Sequence, residues 1–182
     1  MLATHLRLDD MPQPLGVDHD RPAFSWIPES NKRNAAQHAY RILVASSREL
    51  LDQDTGDIWD TGRVTSNQTR EIYFSGKPLA AFTPYWWKIQ LWDGAEQSGG
   101  WSAQAHFAVG PLSESDWQAD WIGRGPTKEP RLDFNKINGS KSAEELYGKI
   151  PVENESALLR HEFQLDKPVK RATAFVCGLG FY

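Results

Sequence analysis

A single cysteine, Cys177, occurs in the 182 residues. No disulfide can close within the chain, and no thiolate cluster is available to a zinc or iron–sulfur centre. Such usage fits a reducing compartment. Long apolar runs are also missing. Nothing approaches the roughly 18 residues that a membrane-spanning helix needs, and the opening MLATHLRLDDMPQPLG lacks the apolar core of a secretory leader. A cytoplasmic location and no membrane partner are therefore expected, with secretion the alternative if the start is misassigned. Neither sign of charge dominates: 20 Lys and Arg stand against 24 Asp and Glu, for a net charge of -4. The basic surface that grips a phosphate backbone is absent, so no nucleic-acid partner is expected.

Patterns that carry chemistry are just as scarce. The five histidines, His5, His19, His38, His106 and His161, show no metal-ligand spacing and no His-Glu-x-x-His pair. A serine triad would need an activated serine, and no Gly-x-Ser-x-Gly elbow is present. The Gly-Leu-Gly at 178–180 lacks the third glycine and the following helix of a dinucleotide site. Acidic pairs occur at Asp9–Asp10, Asp18–Asp20, Asp52–Asp54 and Glu144–Glu145. Glycoside hydrolysis uses two carboxylates, but pairs like these in strands and loops are ordinarily solvated. Asp18, Asp20 or Asp133 could touch calcium, yet Asp-His-Asp falls far short of a calcium loop. No catalytic, cofactor-binding or metal-binding residue is assigned. His161 is expected to be a partly buried structural histidine, and Cys177 a small core or interface residue.

What the chain does have is aromatic side chains, including eight tryptophans, set in short extended pieces. YRILVASS (40–47) alternates strictly, with Tyr40, Ile42 and Val44 on one face and Arg41, Leu43 and Ala45 on the other. RPAFSW (21–26), IWDTGRV (58–64), REIYFSG (70–76), TPYWWKIQLWDG (83–94) and AHFAVG (105–110) read as further extended segments. RELLDQDTGD (48–57) allows a brief helical turn. About six or seven such pieces at roughly 12–15-residue spacing, with little helix, predict an antiparallel sandwich. Tyr85 follows Leu79 at the spacing of a corner tyrosine, whose hydroxyl ties back to the preceding backbone. From Tyr85 the alternation sends Trp87, Ile89 and Leu91 inward, and Trp86, Lys88, Gln90 and Trp92 outward. A tryptophan buries about 150–250 Å² when covered, so Trp86 and Trp92 call for a cover. A loop at 99–104, another domain, or a stacked sugar ring would each serve.

PLSESDWQADWIG (111–123) reads as a connector anchored by Trp117 and Trp121. The polar stretch 124–157 is long for a loop in a compact domain and reads as an insertion. Within it, Ser142 and Glu145 form a capping box that predicts one or two helical turns. LLRHEFQLD (158–166) puts Leu159, His161, Phe163 and Leu165 on one face of an expected strand, and KRATAFVCGLGFY (170–182) reads as a second strand. Two strands cannot build a core alone, so the second unit reads as incomplete.

Taken in order, PLGVDHDRPAFSW (14–26), AYRILVASSRELL (39–51), GDIWDTGRV (56–64), YWWKIQLWD (85–93), WSAQAHFAVG (101–110), DWQADWIG (116–123) and LLRHEFQLDKPVKRATAFVCGLGFY (158–182) resemble the front of the bacterial alpha-L-rhamnosidases, glycoside hydrolase family 78. The resemblance implies a mostly β chain: a fibronectin-type-III-like antiparallel sandwich over 1–112, a connector at 113–123, and over 124–182 the start of a second, jelly-roll-like β-sandwich that stops short. It also implies inverting hydrolysis of terminal alpha-L-rhamnosyl residues by carboxylates of a helical barrel outside this chain, so that the chain alone is inactive. Its implied partners are the remaining domains of the same enzyme and, for the full-length protein, rhamnose-containing glycosides, with calcium possible in the second domain. On this reading Trp86, Trp92, Trp117 and Trp121 become candidates for interdomain or sugar-stacking contacts. The alternatives are a free-standing carbohydrate-binding module and a structural fibronectin-like interaction domain.

Overall fold

The computed structural model describes residues 1–120, 122, 159–169 and 172–178. The chain divides into two units, Met1–Gln118 and Ala119–Tyr182. In the first, β1 (Leu2–Leu8), β2 (Ala23–Glu29) and β6 (Ile72–Tyr73) make one antiparallel sheet in the order β1-β2-β6. The second sheet is centred on β3 (Gln37–Ala45) and β7 (Pro84–Asp93), which pair antiparallel, with Ile42 opposite Ile89. Two short strands, β4 (Trp59–Asp60) and β5 (Val64–Thr65), share the outer flank of β3. Likewise β8 (Ser98–Trp101) and β9 (Ala105–Ala108) share the flank of β7. The result is three strand positions facing four, a fibronectin-type-III-like sandwich.

The core lies between the sheets and follows the period of two. Phe24 and Trp26 of β2 meet Tyr40, Ile42 and Val44 of β3, and Tyr85, Trp87, Ile89 and Leu91 of β7. Phe24 stands edge-on to Trp87 at 4.7 Å. Covering an indole of that size is worth roughly 4–6 kcal/mol of transfer energy. The tyrosine corner is formed: the Tyr85 hydroxyl accepts from the Ala80 amide at 2.9 Å.

The helical turn expected in 48–57 is α1 (Arg48–Asp52), capped by Ser47, whose hydroxyl accepts from the Leu50 amide. It changes the far side of β3. Leu43 and Ala45 face away from the core yet are fully buried, because Leu50 and Leu51 of α1, Trp86 and Trp101 close over them. The segment 99–104, expected as a loop, begins as part of β8, since the backbone of Trp101 pairs with Gln90. Strand β1 carried no alternation that singled it out, because a bulge breaks it: Thr4 faces Ile27 and Arg7 faces Ser25, so His5 and Leu6 together oppose Trp26. His5 sits at φ 50°.

After β9 the chain makes a 3₁₀ turn, Glu114–Asp116. In the second unit, residues 159–169 and 172–178 are not in strands. Alternation supplies an apolar face, but a strand exists only where its backbone groups find a neighbour. His161 is accordingly exposed, stacked on Phe163 at 6.2 Å, and not partly buried. Cys177 is exposed rather than in a core. Ser142, Glu145, Asp133 and Trp121 lie outside the described residues. No helix among the described residues is long and apolar enough to cross a membrane.

Candidate functional site

The outward row of β7 lies on the outer face of the larger sheet, and its tryptophans are covered by the chain's own groups. Trp86 packs with Trp101 against Leu43, Ala45 and Leu51. Trp92 lies beneath the Arg63 guanidinium, 5.3 Å from the ring centroid, and Arg63 also pairs with Glu96 at 3.2 Å. Trp101 receives two cations, Arg41 at 5.7 Å and Lys88 at 4.7 Å. Lys88 is only 5% exposed. Its ammonium donates to the Leu51 carbonyl and to Asp54. That bond is the main reason the Asp54 carboxyl lies below its ordinary value. Arg41 forks onto Asp60 at 2.9 and 2.6 Å and lowers that carboxyl too. Cations over indoles of this kind are worth about 0.5–2 kcal/mol each. Trp117, at the end of the 3₁₀ turn, is 40% exposed.

A different feature opens at the side of the sandwich, between the β4–β5 flank of one sheet and β6 of the other. There a cleft of about 460 Å³ is lined by Tyr40, Trp59, Gln68, Glu71, Tyr73 and Ser75, among others. Tyr40 reaches it from the core, and burial pushes its phenol pKa up. Gln68 is held by its amide nitrogen, which donates to the carbonyls of Arg70 and Glu71. Glu71 sits at φ 55°, the left-handed region that side chains other than glycine seldom occupy. Sequence reasoning missed this cleft. Tyr40 carried only the mark of an inward strand position, and nothing in the spacing says that the sheets part beside it.

Among the described residues no group of three His, Cys, Asp or Glu could hold a metal ion. Asp18 and Asp20 are exposed.

The family model described as "Rha78A-like, N-terminal immunoglobulin domain" matches residues 3–113. An alpha-L-rhamnosidase of Formosa agariphila is 34% identical over 171 residues, covering 93% of this chain and 18% of that protein. The solved alpha-L-rhamnosidase from Dictyoglumus thermophilum superposes with a TM-score of 0.66 at 35% identity, over 68% of this chain and 14% of that one. The Streptomyces avermitilis alpha-L-rhamnosidase, solved in complex with L-rhamnose, gives a TM-score of 0.64 at 33% identity, over 67% of this chain and 12% of that one. The chain thus spans less than a fifth of the length of these relatives.

Proposed function

The chain belongs to the Rha78A-like N-terminal immunoglobulin domains of the alpha-L-rhamnosidases, and from that premise we propose that it serves as the non-catalytic front of an enzyme that hydrolyses terminal alpha-L-rhamnosyl bonds. The observation that carries this reading is the match over residues 3–113, which takes in all of the sandwich but its first residue, Leu2. The electrostatics of the domain support it. A glycosidase needs a carboxylic acid whose pKa is raised and a second carboxylate to activate water. Every described carboxylate with a displaced pKa, Glu49, Asp54, Asp60, Asp93 and Asp116, is displaced downward by hydrogen bonds within its own fold. These are structural anions, and the reacting pair belongs to other domains of the same enzyme.

Two measurements test this. The purified 182-residue chain should release no product from an aryl alpha-L-rhamnoside. Peptides from residues 40–110, traced in the source cells, should run in a polypeptide about five times the 20.6 kDa of this chain and co-purify with rhamnosidase activity. Hydrolysis by the chain alone, or a native species at 20.6 kDa, would overturn the proposal.

A further inference from the structure

Tyr40 is 7% exposed, and its hydroxyl has no hydrogen-bond partner among the described residues. No side-chain nitrogen or oxygen among the described residues is both sealed from solvent and unpartnered, so the phenol oxygen opens into the cleft that Tyr40 lines.

The rest of the lining narrows what the hydroxyl waits for. No lysine or arginine lines the cleft, which argues against phosphate, sulfate or carboxylate. Asp60 at its rim is taken by the Arg41 fork. The Glu71 carboxylate, which lines the cleft, has no partner among the described residues. Gln68 keeps its amide oxygen as an acceptor, and Ser75 adds a hydroxyl. Trp59 and Tyr73 contribute rings, that of Tyr73 already carrying Arg21 at 6.0 Å. Hydroxyl, amide and carboxylate groups beside aromatic surface suit a ring bearing hydroxyls on its rim and C–H bonds on its face. The volume, about 460 Å³, falls in the ~300–1,000 Å³ span of small-molecule sites.

We propose that the cleft between β5 and β6 binds a neutral saccharide, with the Tyr40 hydroxyl and the Glu71 carboxylate as its principal hydrogen-bonding groups. Only the choice of L-rhamnose as a probe rests on the family reading.

The test is a titration of the ¹⁵N-labelled 182-residue chain with methyl alpha-L-rhamnoside, and separately with glucose, read at the Trp59 indole N–H and at the amides of 68–73. Saturable shifts at millimolar concentration of either sugar are expected. In Tyr40→Phe the affinity should fall about fivefold to tenfold. The thermal midpoint of that variant should stay level, because the hydroxyl it removes opens into the cleft and bonds no described residue of the fold. Glu71→Gln should weaken binding, and Trp92→Ala should leave it unchanged. The proposal is overturned by an absence of shifts, by equal affinity in Tyr40→Phe, by shifts centred on Trp86 or Trp92, or by a response to arginine-rich peptide in place of sugar. Hydrolysis is not read here, so a null result leaves the accessory role standing. Conversely, a native 20.6 kDa species would leave a positive titration intact.

Discussion

Lys88 is an ammonium on the outer face of a sheet that is nonetheless shut away from water, and its partner Asp54 has a side chain 57% exposed. The two ends of the pair are therefore unequal. Replacing Lys88 by Met leaves Asp54 free to be hydrated and keeps the aliphatic stem under Trp101. Replacing Asp54 by Ala leaves a buried cation with only a carbonyl and an indole face. We expect Asp54→Ala to cost about 2–3 kcal/mol and Lys88→Met about 1 kcal/mol or less. Urea unfolding of both variants checks the order, and the reverse order would show that the pair is not limited by desolvation of the lysine. The alternation of YWWKIQLWD already assigns Lys88 to the outer face. It is silent on the lid that α1 and Trp101 form over that face, because burial there depends on a segment more than thirty residues away in sequence.

Both flanks of the larger sheet are broken at the same level, and both breaks are repaired alike. At the β4–β5 break, the Thr61 amide donates to the Ile42 carbonyl at 3.1 Å and the Thr61 hydroxyl accepts from the Ile42 amide at 2.9 Å. At the β8–β9 break, the Ser102 amide donates to the Ile89 carbonyl at 2.8 Å and the Ser102 hydroxyl accepts from the Ile89 amide at 3.1 Å. Ile42 and Ile89 face each other across β3 and β7. A side-chain oxygen thus stands in for a backbone carbonyl on each side of the central pair. Thr61→Val and Ser102→Ala each strand a central-strand amide. Each should cost about 1–2 kcal/mol, with Ser102 the more damaging because it is buried. Equal stability of variants and parent in thermal unfolding would sink the idea. The existence of most strands was legible from period-two alternation and turn residues. These repairs were not, since a threonine in DTGRV or a serine in GGWSAQ becomes an acceptor only once the register is known. The expected strand around Leu159, Phe163 and Leu165 shows the same limit from the other side: pattern names a face, but pairing makes the strand.

Acid should unfold the domain in a definite window. The Asp54, Asp60, Asp93 and Asp116 carboxyls all lie below the ordinary 3.8. The chief causes are hydrogen bonds from Lys88, from Arg41, from the Gln97 amide and from the Leu112 amide respectively. Each group binds a proton more readily unfolded than folded. The stability they confer is complete above the unfolded value and is lost as pH falls through the lower folded values. The thermal midpoint should be level down to about pH 5 and drop below about pH 4. Asp60→Asn should make that drop shallower, and an unchanged slope would remove Asp60 from the set. Fold class could be read ahead of the structure because it rests on spacing repeated along the whole chain. The cleft beside Tyr40 could not, because it is a gap between sheets whose separation no local pattern encodes.

The bulge in β1 reaches beyond its own hydrogen bonds. As the outer member of the β1-β2-β6 sheet, this strand offers a row of donors and acceptors to any second copy drifting alongside, closed at Leu8 by its own bridge to Met11. With His5 and Leu6 together opposite Trp26, the row is out of step midway, and a passing strand can zip onto it for only a few residues. Removing His5 would restore perfect pairing inside the molecule and, by the same stroke, leave an unbroken template outside it. The irregularity that weakens one sheet also shortens the template that its outer edge presents to a second copy.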